Sequence, residues 1–399
     1  MTPPLELAEA QQRLLGQAEP LPAERIAIDA ALGRYLAEEV TAARTQPAAD
    51  VSAMDGYAMP AGEPAGPWRV VGESAAGHPF AGTLGPGQAA RISTGALMPA
   101  GAGLVLVQEN AARDGERLAL NGQGEPSARH VRREGFDFQS GDSLMPPGIR
   151  IGPAQIALAL AGGRFEIAVH ALPSVAVIDS GDELAADPGE CLGHQIPASN
   201  GAMLTAMATP HAGSVRRLGP VPDSLEALLA ALDQAADADV IVTSGGASVG
   251  DHDLVRPALE AWGATIDFWR VAIKPGKPIL FARRGRQWII GLPGNPVSSY
   301  VTAFLFLLPL LRRLAGGQAC LPTALAMRLA EPLPAGDTRL ELIRARHADG
   351  LVAPAVTQDS SALHALAASN ALIVREIGAP AAAAGDMVMA YLLGNGVTA

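Results

Sequence analysis

Cysteine is nearly absent. The 399 residues hold two, Cys191 and Cys320, far apart and forming no CxxC. That excludes a structural zinc site of the usual kind and points to a reducing compartment. Aromatic residues are only 4%, so a core drawn from a hydrophobic fraction of 49% is built from Ala, Val, Leu and Ile. There is no excess of positive charge: 29 Lys and Arg face 40 Asp and Glu, a net charge of −11. That balance argues against a nucleic-acid or membrane-surface binder, so an anionic ligand has to be caught by local cations and backbone amides. Long apolar runs are also missing. The most apolar stretch, 300–311, falls short of the ~20 residues of a membrane span and contains Pro309. The opening MTPPLELAEAQQRLL has no basic flank before an apolar stretch, so no signal peptide is visible. The expectation is a soluble cytoplasmic protein of two to four domains at ~100–200 residues each.

The informative stretch runs from Asp239 to Pro296 and reads DVIVTSGGASVGDHD, then VAIKPGKP, then IIGLPGNP. Residues 240–243 are apolar and β-branched, the mark of a strand buried on both faces. Glycines in Ser244-Gly245-Gly246-Ala247-Ser248-Val249-Gly250 let the backbone turn tightly with N–H groups aimed at a ligand. A helix beginning near Asp253 adds a positive dipole end. Asp251 and Asp253 close the loop, Lys274 and Lys277 follow, and Pro293, Gly294 and Asn295 form a second strand-to-helix turn. Ligands of open α/β sheets bind at such carboxyl ends. Together these residues read as a phosphate-plus-metal site. Glycine turns that bind nothing are the bland alternative, but three in one segment, tipped with acids and lysines, favour the site.

In chain order, 5–17 and most of 24–40 show helical spacing, with a short strand at 26–28 as an option. From 46 to 145, Gly and Pro alternate with short runs such as WRVVGE, AARIST and LVLVQEN, the mark of a mostly β domain. Taken alone, its SAMDGYA and ISTGA segments read as ordinary turns, and Arg129, Arg132 and Arg133 as a solvated face. Residues 153–160 predict a helix. From 175 a strand–helix rhythm begins, with helices over 200–209, 225–236 and 254–262, which argues for a parallel sheet covered on both faces. Its first strand ends in Asp182 and Glu183. Carboxylates gathered there suit Mg²⁺ shared with substrate phosphates, and do not suit a zinc cage. A helix over 297–314 leads to short strands across 321–393, a last small β domain. Alone, Arg344 and the pair Ser360-Ser361 in it pass as surface residues.

Together, SAMDGYA, STGA, SGDEL, SGGASVGDHD, VAIKPGKP and GLPGNP resemble the molybdenum insertase family, MoeA-like and akin to the E domain of gephyrin. The resemblance covers the whole chain. It implies a multidomain α/β plus β protein of four domains. These are a discontinuous mixed domain (1–45 with 146–172), a β-rich domain (46–145), a molybdopterin-binding α/β domain with a parallel sheet (173–317) and a C-terminal β domain (318–399). It implies a homodimer in which adenylylated molybdopterin reacts with molybdate, with Mg²⁺, to give molybdenum cofactor and AMP. The adenylyltransferase of the preceding step and cofactor-accepting apo-enzymes are the implied partners.

By matching positions, the resemblance assigns catalytic roles to Asp55, Thr94, Asp137, Glu183, Asp223, Asp253, Lys274 and Lys277. It assigns substrate binding to Ser244, Gly245, Gly246, Ser248, Gly250, Pro293, Gly294, Asn295, Arg344 and Ser360, and Mg²⁺ binding to Glu183, Asp251 and Asp253. Phe136, Gly103, Ala198 and Ser224 stand where the family often has an acid, which reads as drift around the site or as a retuned activity. An adenylyltransferase and a cofactor-binding scaffold are the alternative functions.

Overall fold

A computed structural model describes residues 4–62, 65–245 and 254–394. They form two compact units, residues 25–168 and residues 1–24 with 169–399.

In the unit 25–168, a six-stranded sheet runs in the order Leu104–Val107, Gly56–Met59, Gln88–Ile92, Trp68–Ser74, Arg117–Leu120, Ala111–Asp114. Alternation along Gly56–Met59 sends Tyr57 and Met59 to a cluster with Trp68 and Leu118, and Ala58 to the opposite face with Ala90 and Val105. The helix expected over most of 24–40 does not form. The chain makes a short strand at Ala23–Ala27 and one 3₁₀ turn at Ile28–Ala30. Gly33 then adopts φ +81°, which ends any helical course despite the apolar spacing beyond it.

In the other unit the central sheet has the order Ser214–Val221, Ser174–Ser180, Val240–Ser244, Gln287–Leu292, Pro278–Arg284, Thr265–Arg270. The first four strands are parallel, as the alternating rhythm predicts. The last two run antiparallel to their neighbours. The cause is local: Arg284 pairs with Gln287 across a two-residue Gly285-Arg286 turn, so the chain doubles back as a hairpin. Val175, Val177, Val240 and Val242 face helices 7–17, 199–208 and 296–314. Ala176, Ile178 and Ile241 face Leu225–Gln234 and Val255–Ala261. Burial on both faces is why these strands are continuous apolar runs.

The long helix is longer than its apolar stretch suggested. Pro296–Leu314 is continuous over 19 residues, enough by length and composition to cross a membrane, yet it is mostly buried. A π-turn at Ala303–Leu307 carries it up to Pro309, so the proline does not break it. Phe306 packs against Phe281 with ring centroids 5.3 Å apart. This is a core helix.

The C-terminal strands Leu340–Ala348, Leu351–Pro354, Leu325–Leu329, Met387–Leu392 and Ala371–Arg375 close into a small barrel, because the last pairs back onto the first. A short strand from the lysine segment, Ile273–Lys274, adds to it beside Leu340 and Glu341.

Candidate active site

The parallel strands Ser174–Ser180 and Val240–Ser244 end side by side, with Asp179 opposite Ser244. Beyond them lies a cavity of about 820 Å³. Its polar rim comes from strand-end turns: Ser180, Gly181 and Glu183 after the first strand, Ser244 and Gly245 after the second, Gly294 and Asn295 before the long helix. Gly245 adopts φ +95°, and a β-carbon there would lie 2.6 Å from the Ser180 carbonyl oxygen, so only glycine fits. Asn200, from helix Ser199–Ala208, donates from Nδ2 to the Gly294 carbonyl at 2.7 Å and holds that turn. Leu228, Leu254, Val255 and Leu363 add apolar lining. A cavity lined by apolar side chains together with hydroxyls, amides and carboxylates suits a flat heterocycle carrying phosphate.

Two exposed carboxylates line it, Glu183 and Asp223. The backbone N–H of Asp223 donates to Asp182 Oδ1 at 3.1 Å, which joins the two acidic turns. A third acid, Asp179, is fully buried and paired with Arg217 at 2.8 Å. Burial pushes its carboxyl above the ordinary range, against the opposing pull of Arg217. Among the described residues no three His, Cys, Asp or Glu side chains gather to hold a metal. Glu183 and Asp223 are nonetheless oxygen donors of the type that holds Mg²⁺ together with substrate phosphate oxygens.

Several expected residues take other places. Gly246, Ser248, Gly250, Asp251 and Asp253 lie outside the described residues. Pro293 is buried and does not line the cavity, unlike its neighbours Gly294 and Asn295. Lys274 is also absent from the lining, and its ammonium pairs with Glu341 and Asp337. Lys277 is exposed on the same segment. Arg344 is 1% exposed, and its guanidinium donates to the carbonyls of Asp359 and Ala362. Those bonds shape the loop that brings Ser361, rather than Ser360, to the cavity. The carbonyl of Ser360 instead accepts from Val297 N–H at 3.1 Å.

The unit 25–168 carries its own cluster. Asp55 Oδ1 accepts the backbone N–H of Thr94 at 2.7 Å, and that bond chiefly holds the Asp55 carboxyl below its usual range. Asp137 lines a separate cavity of about 700 Å³ with Arg44, Gly95, Arg132 and Phe136. Phe136 is 72% exposed there. Of the other departures, Ser224 accepts from Ala227 N–H and caps a helix, and Ala198 offers its carbonyl to Arg217.

Three family models match the chain: the MoeA N-terminal region (domain I and II) over residues 5–163, a probable molybdopterin binding domain over 176–313, and the MoeA C-terminal region (domain IV) over 326–393. The molybdopterin molybdenumtransferase of Haemophilus influenzae is 33% identical over 319 residues, 78% of each chain. That of Bacillus subtilis is 31% identical over 98% of this chain and 94% of its own. The chain belongs to the molybdopterin molybdenumtransferase family. A crystal structure of the molybdopterin biosynthesis moeA protein of Pyrococcus horikoshii OT3 superimposes with a TM-score of 0.83 at 25% identity, covering 98% of this chain and all of that one. The region of this transferase-family chain that matches the probable molybdopterin binding domain holds Glu183, Asn200, Asp223, Ser244 and Asn295, all at the cavity. Sequence reasoning missed Asn200, Ser361 and Leu363. Only Ser361 had left a signal, as half of a hydroxyl pair.

Proposed function

We propose that this protein inserts molybdenum into adenylylated molybdopterin, consuming molybdate and releasing AMP. The observation that carries the reading is the cavity of about 820 Å³, lined by apolar side chains together with strand-end hydroxyls, amides and two carboxylates. In this reading the phosphate-bearing part of the substrate lies along Ser244, Gly245, Gly294 and Asn295. Its flat rings lie against Leu228, Leu254 and Val255. Glu183 and Asp223 would hold Mg²⁺, which when bound neutralises charge on the phosphoanhydride as it is cleaved. Water adds to phosphorus as the phosphoanhydride P–O bond breaks, which gives AMP and molybdopterin monophosphate. The two dithiolene thiols displace oxygen from molybdate, and that oxygen leaves as water with their protons and with no change of oxidation state. Neither a serine nor a cysteine nucleophile is needed.

Asp55 with Thr94, and Asp137 with Arg132, are read as further parts of the machinery, and Arg344 as the support of the Ser361 loop. Asp251, Asp253, Gly246, Ser248 and Gly250 keep their proposed roles from the motif. The same reading includes the four-domain division, a homodimer, cytoplasmic location, and hand-over from an adenylyltransferase and to apo-enzymes.

The test supplies adenylylated molybdopterin, molybdate and Mg²⁺ and follows AMP release together with activation of a cofactor-free molybdoenzyme. Molybdate-dependent AMP release, lost in Glu183→Gln, is the expected result. AMP release that does not depend on molybdate, or none at all together with ATP consumption when molybdopterin and ATP are supplied instead, overturns it.

A further inference from the structure

Beside the cavity stands a flap that the fold ties down only at its base. Residues 184–197 lie between the strand Ser174–Ser180 and the helix Ser199–Ala208. The two ends of the flap are held together. Leu184–Ala185 pairs with Ile196–Pro197, Ile196 N–H donates to the Glu183 carbonyl at 2.8 Å, and Ala198 N–H donates to the Ala185 carbonyl at 3.0 Å. The base is fixed to the sheet: Gly181 N–H donates to the Val221 carbonyl at 3.1 Å, and Arg217 donates to the Ala198 carbonyl. Beyond that base the flap is on its own. None of 184–197 is buried, and among the described residues none of them bonds to a group outside 181–198. A loop closed at its ends, with few buried contacts, opens and shuts at little cost.

Leu184, Ile196 and Pro197 nonetheless line the cavity, and Ile196 is 56% exposed. A large apolar side chain left more than half in water gains from any apolar surface that covers it. We propose that the flap 184–197 closes over bound substrate and that Ile196 takes a face of the substrate's flat heterocycle. Ile196 is then a substrate-contacting residue that sets how tightly the ring is held, since closure of a lid buries the ligand in its pocket. This assignment rests on the function proposed above, which supplies the ligand. The adenylylated substrate holds two flat rings, pterin and adenine, so the probes separate them.

The test titrates the full-length protein with hydroxymethylpterin, read by its own fluorescence, and separately with AMP, read by calorimetry. Amide exchange across 184–197 is followed with and without each probe. At least one probe is expected to bind and to slow exchange there, and Ile196→Ser is expected to bind that probe about five- to tenfold more weakly. Ile196→Leu restores the apolar surface and is expected to bind it as the wild type does. Leu192→Ser is the control, because Leu192 is 59% exposed on the same flap but does not line the cavity. Both positions are exposed, so the serine variants should fold with wild-type stability. Exchange that does not respond, wild-type affinity in Ile196→Ser, an equal loss in Leu192→Ser, or a wild-type protein that binds neither probe overturns the assignment. AMP release by the wild type is scored separately. Turnover without these binding effects removes the assignment and leaves the function, whereas the binding effects without turnover leave Ile196 as a ring contact and remove the function.

Discussion

Lys274 Nζ lies 2.9 Å from Glu341 Oε1, so an ammonium from the α/β sheet's lysine segment is held by the C-terminal barrel. Asp337 Oδ2 stands 3.6 Å from the same nitrogen. Backbone pairing of Ile273–Lys274 with Leu340 and Glu341 fixes the two side chains next to each other.

The donated bond to Glu341 is the main cause of a raised Lys274 pKa. The native state then binds the proton more tightly than the unfolded chain. The pair's stabilisation is fully present below the unfolded value near 10.4 and is lost as pH rises through the folded one. Lys274 is 47% and Glu341 17% exposed, so solvent screens the pair and its worth is under ~1 kcal/mol. Urea denaturation should show Glu341→Gln slightly less stable at neutral pH, with the difference gone once the lysine is deprotonated. A loss of several kcal/mol would contradict this account.

Arg344 is a larger matter. Replacing it by Met strands two loop carbonyls, and replacing it by Lys offers one nitrogen where two nitrogens of a planar fork each reach a different carbonyl. Each variant should lose about 2–4 kcal/mol in equilibrium unfolding. Amide exchange across 357–363 should quicken more than elsewhere in the barrel. Unchanged exchange there would mean the loop holds itself.

Asp55 should show in acid. Its lowered pKa means its contribution to stability is present above the unfolded value near 3.9 and is lost as pH falls through the folded one. Asp55→Asn keeps an acceptor for the Thr94 N–H but loses the charge. The stability gap between wild type and variant should therefore be constant at neutral pH and close below about pH 4. A gap that is the same at every pH would assign the effect to shape alone.

Gly201→Ala tests the packing around the buried pair. The added carbon would collide with Asp179 Oδ2 and lie 2.7 Å from Arg217 Nε, both held in place by their ion pair. Overpacking of this kind costs about 1–3 kcal/mol. The loss should shrink in a background of Asp179→Ala, which opens the space. Equal losses in both backgrounds would show that the clash lies elsewhere.

Strand Val240–Ser244 and the turns around Gly245 and Gly294 were legible because their signals are local. A β-branched run suits burial on both faces, and glycine is required at Gly245, where the Ser180 carbonyl crowds the chain. The Gly285-Arg286 hairpin was equally local, but the parallel rhythm around it hid the reversal. The helical spacing over 24–40 misled, since a left-handed residue at Gly33 outweighs apolar periodicity.

By itself, then, the sequence determined most strands and helices of the α/β region, the family, and that carboxylates, hydroxyls and glycines collect at one sheet edge. The tertiary structure alone decided which polar groups remain free to meet a ligand. The sequence read Lys274 as a ligand's cation and Arg344, taken alone, as a surface residue. Only the fold shows that Lys274 meets Glu341 through strand pairing while Arg344 is buried against the Asp359 and Ala362 carbonyls. Ser361 and Leu363 reach the cavity for the same reason. A hydrogen bond is satisfied by whatever the fold brings within 3 Å, and periodicity along the chain carries no information about that.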